Sequence, residues 1–96
     1  MEKKTFTEDW FIATSPNGLY YTKDTIWIPE GDLDIISETP HIEYSIKFES
    51  VNEIHEYAED VKRNDDPYYE GDFIPSKIKK IKVTKIYEEV EEVFVF

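Results

Sequence analysis

The sequence contains no cysteine, only three glycines and a single arginine, and each shortage removes a class of function. Without cysteine there is no disulfide, no thiolate nucleophile and no cysteine-ligated zinc. Gly18, Gly31 and Gly71 lie far apart, so they cannot build the glycine-rich loop that cradles a phosphate. With Arg63 as the only arginine, the chain is poorly suited to direct nucleic-acid binding, which favours arginine together with stacking aromatic rings.

Long apolar runs are also missing. No stretch approaches the ~18 consecutive apolar residues of a membrane helix. The N-terminal segment MEKKTFTEDW is polar and acidic where a signal peptide would be apolar. We therefore expect a cytoplasmic protein, or one in the host cytoplasm if a phage encodes it, with no membrane partner. A length of 96 residues predicts one domain over residues 1–96 with a single modest core.

Acidic and aromatic residues are abundant. There are 22 acids against 11 bases, which gives a net charge of −11, and 16% of the residues are aromatic. Residues 41–75 carry 10 of these acids and only 3 bases, whereas residues 76–96 carry 4 acids and 5 bases. Such a charge repels nucleic acid and attracts basic partners. The alternative is that the acidity only keeps a small domain in solution.

The turn and strand signals lie mostly in the first half of the chain. Ser15-Pro16-Asn17-Gly18 stands between two short apolar and aromatic runs and predicts a hairpin. Residues 25–28 predict a further strand, which the turn at residues 29–32 ends; the state of Leu33, Ile35 and Ile36 is left open. Residues 42–49 alternate apolar and polar side chains, which predicts a strand with one buried face.

The second half begins with a helix signal. Ser50 and Glu53 have the spacing of a capping box, and apolar residues follow at helical spacing, so a helix is predicted over residues 51–63. From residue 76 onward, β-branched and aromatic residues favour one long strand, or two strands broken near Glu88 and Glu89, with a helix as the alternative. The predicted fold is α+β, with one helix on a face of a mostly antiparallel sheet formed by the N-terminal hairpin, further strands and a long C-terminal strand.

The residues that usually carry catalysis or metal do not form a recognisable motif. His41 and His55 have no metal-ligand spacing, and no glycine-flanked serine stands near them. The acids of NDDPYYEGDF offer oxygen ligands for Ca²⁺ or Mg²⁺, but Asp65-Asp66-Pro67-Tyr68 breaks the EF-hand pattern. We therefore predict no enzyme, no cofactor and no metal site.

The same stretch, together with the helix before it, indicates a surface for a protein partner. Tyrosine gives large, rigid contact area at interfaces, and carboxylates suit a partner rich in arginine and lysine. This surface could imitate a nucleic-acid backbone; the alternative is a solvated polar loop and helix face. The candidate partner-binding residues are Glu56, Glu59, Asp60, Asp65, Asp66, Tyr68, Tyr69, Glu70 and Asp72.

An aromatic strand, an Asn-Gly turn, a Tyr-Tyr strand, FESVNEIHEYAEDV and IKKIKVTKIYEEV follow one another along the chain. This order is similar to that of many short accessory proteins of bacteriophages and prophages. The resemblance spans most of the chain and implies an inhibitor or modulator of a host enzyme or defence system. It supplies no catalytic residues.

Two main functional hypotheses result, and a small hydrolytic or metal-dependent enzyme is the third alternative. In the first, the chain is a non-enzymatic, acidic, phage-like module that binds a basic host protein, one that handles nucleic acid or acts in defence. In the second, it is a structural subunit that self-associates, for example as a homodimer, through an apolar C-terminal strand at residues 90–96.

Overall fold

The computed structural model describes residues 2–64 and 68–94. It contains the elements β1 (Lys3–Thr14), β2 (Tyr20–Ile28), β3 (Gly31–Thr39), a turn of 3₁₀ helix (Ile42–Tyr44), α1 (Val51–Arg63), β4 (Tyr69–Glu70) and β5 (Lys77–Glu88). The strands form one sheet in the order β4-β3-β2-β1-β5, with α1 on one face. The predicted α+β class is confirmed, and the sheet is antiparallel except where β4 pairs with β3.

The predicted turn at residues 15–18 joins β1 to β2. The carbonyl oxygen of Ser15 accepts a hydrogen bond of 2.9 Å from the amide of Gly18. Gly18 has φ +79, a left-handed conformation that glycine adopts without steric cost. Among the described residues, β1 and β2 pair only at Thr14 and Tyr20, and beyond this pair the two strands diverge.

The divergence divides the sheet into two arms. The ribbon consists of β1 and β5, which pair from Thr14 and Lys77 at its base to Lys3 and Glu88 at its end. The hairpin consists of β2 and β3, which are joined by a two-residue turn at residues 29–30. The radius of gyration is 17.5 Å, against roughly 12–13 Å for a compact domain of this length, so the molecule is elongated.

The core lies at the base, where the arms meet under the helix. Seven buried side chains form it: Ala13, Tyr21, Ile36, Phe48, Ile54, Val61 and Phe73. Helix α1 has the predicted bounds, and its N-cap Ser50 Oγ accepts a hydrogen bond of 3.2 Å from the Glu53 amide. Glu53 Oε2 accepts one of 2.8 Å from the Glu49 amide, one residue before the N-cap, so both side chains hold the start of the helix. Helix α1 packs on one side of the base, and we call this side the front.

The predicted strand at residues 42–49 is wrong. Its start is the single 3₁₀ turn, and its only ladder contact is an isolated bridge between Phe48 and Phe11. Residues 45–49 lie between the diverging β1 and β2: the amide of Ile46 donates to Tyr21 and that of Phe48 to Phe11, both at 2.9 Å. Because the gap between the strands admits only a short extended segment, the alternating pattern does not continue as a ladder.

The long C-terminal strand is confirmed as β5, an edge strand, but it ends at Glu88. Residues 90–94 of the predicted self-pairing strand have no regular secondary structure, and residues 95–96 lie outside the described part of the chain. In the described ranges, α1 is too short and too polar for a membrane-spanning helix.

Candidate functional site

Three of the predicted contact residues, Glu56, Glu59 and Asp60, project from the outer side of α1. Ile54 and Val61 turn into the core, which fixes the opposite side of the helix as the exposed one. The three acids line one shallow groove together with His55 and Arg63. Arg63 Nη2 lies 2.7 Å from Asp60 Oδ1 in an exposed i,i+3 ion pair, so Asp60 is partly neutralised.

Strand β4 positions the predicted tyrosines differently from each other. Tyr69 is half-buried, with its ring 5.7 Å from that of Tyr57 in an edge-to-face contact. Tyr68 is exposed, its ring lies against Gly31, and its carbonyl oxygen accepts a hydrogen bond of 2.9 Å from the Asp34 amide. Tyr69 is therefore partly a packing residue, and Tyr68 is the ring available at the surface.

The remaining candidates lie on either side of β4. Glu70 is exposed and pairs across from Ile35 on the outer edge of the sheet. Asp72 is exposed near the C-terminal half of α1. The predicted contacts Asp65 and Asp66 lie outside the described residues.

Asp72 and Glu59 come together at an open depression of about 520 Å³ between α1 and the segment before β5. Apolar side chains form most of its lining, and Lys62 also reaches it. The apolar lining residues are Ala58, Val61, Phe73, Ile74 and Pro75. The Tyr21 hydroxyl fixes the wall, since it donates to the Ile74 carbonyl and accepts from the Ile74 amide, both at 3.1 Å. We call Glu56, Glu59, Asp60 and Asp72 the acidic surface.

The electrostatics of this region extend to Tyr69. Burial raises the pKa of the Tyr69 hydroxyl, and the charges of Asp60 and Asp34 raise it further. The Asn64 side chain, just after α1, donates a hydrogen bond of 3.1 Å to the Tyr69 carbonyl oxygen, so the C-terminal end of the helix and Tyr69 lie close together. Tyr68 and Glu70 do not line the depression.

Sequence reasoning missed a polar cluster around Asp34 on the front of the hairpin. Its carboxylate accepts hydrogen bonds of 2.7 Å from Thr25 Oγ1, 2.8 Å from the Tyr57 hydroxyl and 3.3 Å from Lys23 Nζ. Lys23 Nζ also lies 5.2 Å from the centre of the Tyr57 ring. Thr25 and Asp34 are direct cross-strand partners. They lie at equal distances in sequence from the turn at residues 29–30, and this symmetry could have predicted their pairing.

The cluster shifts two pKa values in opposite directions. Burial alone would raise the pKa of Asp34, but the hydrogen bonds from Thr25 and Tyr57 and the charge of Lys23 outweigh it, so the pKa is lowered. Burial, followed by the hydrogen bond to Asp34 and the charge of that carboxylate, raises the pKa of Tyr57 far above its usual range. With three donors on one carboxylate, the cluster ties the hairpin to α1.

No three His, Asp or Glu side chains converge as metal ligands within residues 2–64 and 68–94. His41 is exposed and lies 3.9 Å from Glu43, and His55 is exposed on α1. Comparisons with protein-family models, curated proteins and solved structures found no match to this chain. Its function has to be argued from its own surfaces.

Proposed function

We propose that this chain is a non-enzymatic protein-binding module that engages a basic protein through the acidic surface. The observation that carries the proposal is the depression beside α1, which has an apolar lining and carboxylates at its rim. Glu56, Glu59 and Asp72 have no ion pair with any described residue, so their charges are free to meet a partner.

This arrangement suits an arginine or lysine side chain of the partner. The methylene stem would pack on Phe73 and Pro75, while the charged head would reach Glu59 and Asp72 at the rim. Well-packed apolar pockets with charged rims are typical of interface hot spots. Lys62, on the same rim, repels the same charged head, so the carboxylates of Glu59 and Asp72 have to outweigh it.

From the resemblance to bacteriophage accessory proteins we extend the proposal to the type of partner. It is a bacterial protein that handles nucleic acid or acts in defence, and the acidic surface takes the place of the nucleic-acid backbone in its groove. The exposed Tyr68 and Glu70 widen the contact beyond the depression.

Affinity capture from bacterial lysate with charge-reversed variants tests the proposal. The triple variant Glu56→Lys, Glu59→Lys and Asp72→Lys should lose a basic protein that the natural chain retains at low salt and releases at high salt. The loss should be at least tenfold, since each rim charge contributes up to about 1 kcal/mol and reversal adds repulsion.

The matched control changes the net charge equally, at exposed acids of the C-terminal tail: Glu89→Lys, Glu91→Lys and Glu92→Lys. This control should retain the captured protein. Equal loss in both triple variants would mean that only net charge matters, and equal retention would remove the acidic surface from the interface. Either result would contradict the proposal.

A further inference from the structure

The register of the strands leaves a second apolar face of the sheet uncovered. Cross-strand partners point to the same side, and successive residues point to opposite sides. Ala13, Tyr21 and Ile36 face the helix and belong to the core, so their neighbours along each strand face away from it. We call this opposite side the back. In the outer parts of both arms, most apolar side chains lie there, with Trp27 and Ile86 on the front as the exceptions.

On the ribbon the two faces differ sharply beyond the base. The front carries Thr5 opposite Ile86, then polar pairs such as Thr7 with Thr84 and Asp9 with Lys82. The back carries the charged residues Lys4, Glu8 and Lys85 between apolar side chains, of which two are more than half exposed, Phe6 at 52% and Tyr87 at 57%. These apolar residues of the ribbon back are Phe6, Trp10, Ile81, Val83 and Tyr87. The apolar side of the ribbon thus faces away from the side that α1 covers.

The hairpin repeats this pattern. Its front carries Thr25 paired with Asp34 and Lys23 paired with Ile36. Its back carries Ile26 opposite Leu33, with Ile26 44% exposed. Because Thr14 and Tyr20 are paired at the junction, the backs of the two arms lie on the same side of the sheet. Together they form one apolar face. It is closed at the base, where Ile12 has no exposed surface, and open towards the ends of the arms, where no described helix covers it.

The energetics of the ribbon call for a cover on this face. A two-stranded antiparallel ribbon is marginal in water unless a hydrophobic face packs against something. The ribbon continues for seven residue pairs beyond Trp10 and Ile81, out to Lys3 and Glu88. Exposed apolar patches of this extent mark protein interfaces.

The charges of the two arms identify the occupant. The ribbon strands β1 and β5 carry seven lysines against three acids, whereas residues 20–39 of the hairpin carry one lysine against five acids. The arms therefore have net charges of +4 and −4. The register places +3 of this charge on the back of the ribbon and −1, from Asp24, on the back of the hairpin, so the two backs keep opposite signs. A second copy of the chain, related by a two-fold axis, can lay its ribbon over this hairpin and its hairpin over this ribbon, so both contacts join opposite charges.

The dimensions of the face fit such an interface. The molecule extends 54 by 34 Å along its two longer axes. A stable interface needs roughly 800 Å² per partner, less than half of the rectangle that these two extents enclose. Sheets that pack face to face also bury alternate residues of each strand, as on these two arms.

We propose that the chain forms a two-fold symmetric homodimer through the backs of its two arms, ribbon against hairpin. The contact is independent of the acidic surface, which lies on the front with α1. The charge of −11 per chain does not oppose it, because the two arms together contribute none of that net charge.

The mass in solution, measured by light scattering and sedimentation over a range of concentrations, tests the proposal. The natural chain should show twice its 11.5 kDa. Ile26→Lys and Tyr87→Lys place a charge on the back and should raise the dissociation constant of the dimer at least tenfold. Their sequence neighbours Trp27→Lys and Ile86→Lys place the same charge on the exposed front and should change it less than threefold. A monomer at every concentration, or equal effects of the two pairs, would overturn the proposal.

A mixing experiment tests the crossed arrangement and uses only exposed charges that form no ion pair with a described residue. One chain carries Asp24→Lys and Glu30→Lys on the hairpin, and the other carries Lys4→Glu and Lys79→Glu on the ribbon. Each homodimer should weaken, because one arm of each variant loses its net charge. In the mixture, the unchanged ribbon of one chain meets the unchanged hairpin of the other, so the heterodimer should predominate. A statistical mixture of homodimers and heterodimers would overturn the crossed arrangement.

Discussion

At the base of the sheet, Ile54 has no exposed surface, whereas at the ends of the arms Trp27 is 78% exposed. Ile54 lies on α1 above the base and Trp27 on β2, and both regions contain aromatic and aliphatic side chains. The difference arises because one 13-residue helix covers the front of the base and no described element covers the arms in the same way. Buried apolar area, and with it folding free energy, is concentrated where the helix lies.

The comparison also separates stability from recognition. The base holds the aromatic cluster of Tyr21, Phe48, Tyr57 and Phe73, whose ring centres lie 4.8–5.9 Å apart. The arms hold apolar side chains that strand pairing orders but does not bury. A chain of this length has few apolar residues to leave exposed. That most of them lie on the back supports the interface proposed there.

The largest expected effect compares the two regions directly. Ile54→Ala removes a fully buried side chain and should lower the free energy of unfolding by about 3–4 kcal/mol. Trp27→Ala removes a larger but exposed side chain and should change it by less than about 0.5 kcal/mol. Urea unfolding followed by circular dichroism gives both values. Similar losses in the two variants would show that the arm, too, is packed.

Local signals predicted the elements whose partners lie close in sequence. The capping pair Ser50 and Glu53 and the spacing of Ile54 and Val61 are sufficient to define α1, because a helix satisfies its backbone hydrogen bonds internally. The turn at residues 15–18 was predictable for the same reason. Residues 42–49 were not: whether an alternating segment forms a strand depends on a free neighbouring edge, and the gap between β1 and β2 cannot be read from the segment itself.

Part of the candidate surface was predictable in the same limited way. The exposed positions of Glu56, Glu59 and Asp60 follow from the helical stripe. The half-buried state of Tyr69 does not, since it depends on β4 pairing in parallel with β3, a contact across more than thirty residues. The back face needed the register of two separate arms, which no local pattern contains.

The second prediction compares two glycines with positive φ, one beside the core and one in open space. Gly71 has φ +93, and a Cβ there would collide with the carbonyl oxygen of Ile36. Gly18 has φ +79 with no neighbouring atom in reach of a Cβ. Gly71→Ala should therefore cost about 2–3 kcal/mol and Gly18→Ala about 1 kcal/mol.

Thermal melting distinguishes these two variants. For a domain of this size, 1 kcal/mol corresponds to roughly 4–8 °C. The Gly71 variant should therefore melt visibly below the Gly18 variant. The opposite order would mean that the β4 region yields more readily than the turn, and that the base is less rigid than its packing indicates.

The smallest expected effect concerns the tie between the hairpin and the base, which Asp34 forms with Thr25 and Tyr57. Asp34→Asn should lower the free energy of unfolding by about 1–2 kcal/mol at neutral pH. The pKa of Asp34 in the folded chain is lower than its usual 3.8, so its contribution is present above that value and is lost as the pH falls through the lowered one. The natural chain and the variant should thus converge in stability below about pH 4, as urea unfolding at a series of pH values can show.

Asp32→Asn, an exposed acid on the same strand, is the control and should stay parallel to the natural chain across the whole range. A constant gap for Asp34→Asn down to the lowest pH would mean that packing around residue 34, and not its charge, joins the hairpin to the helix.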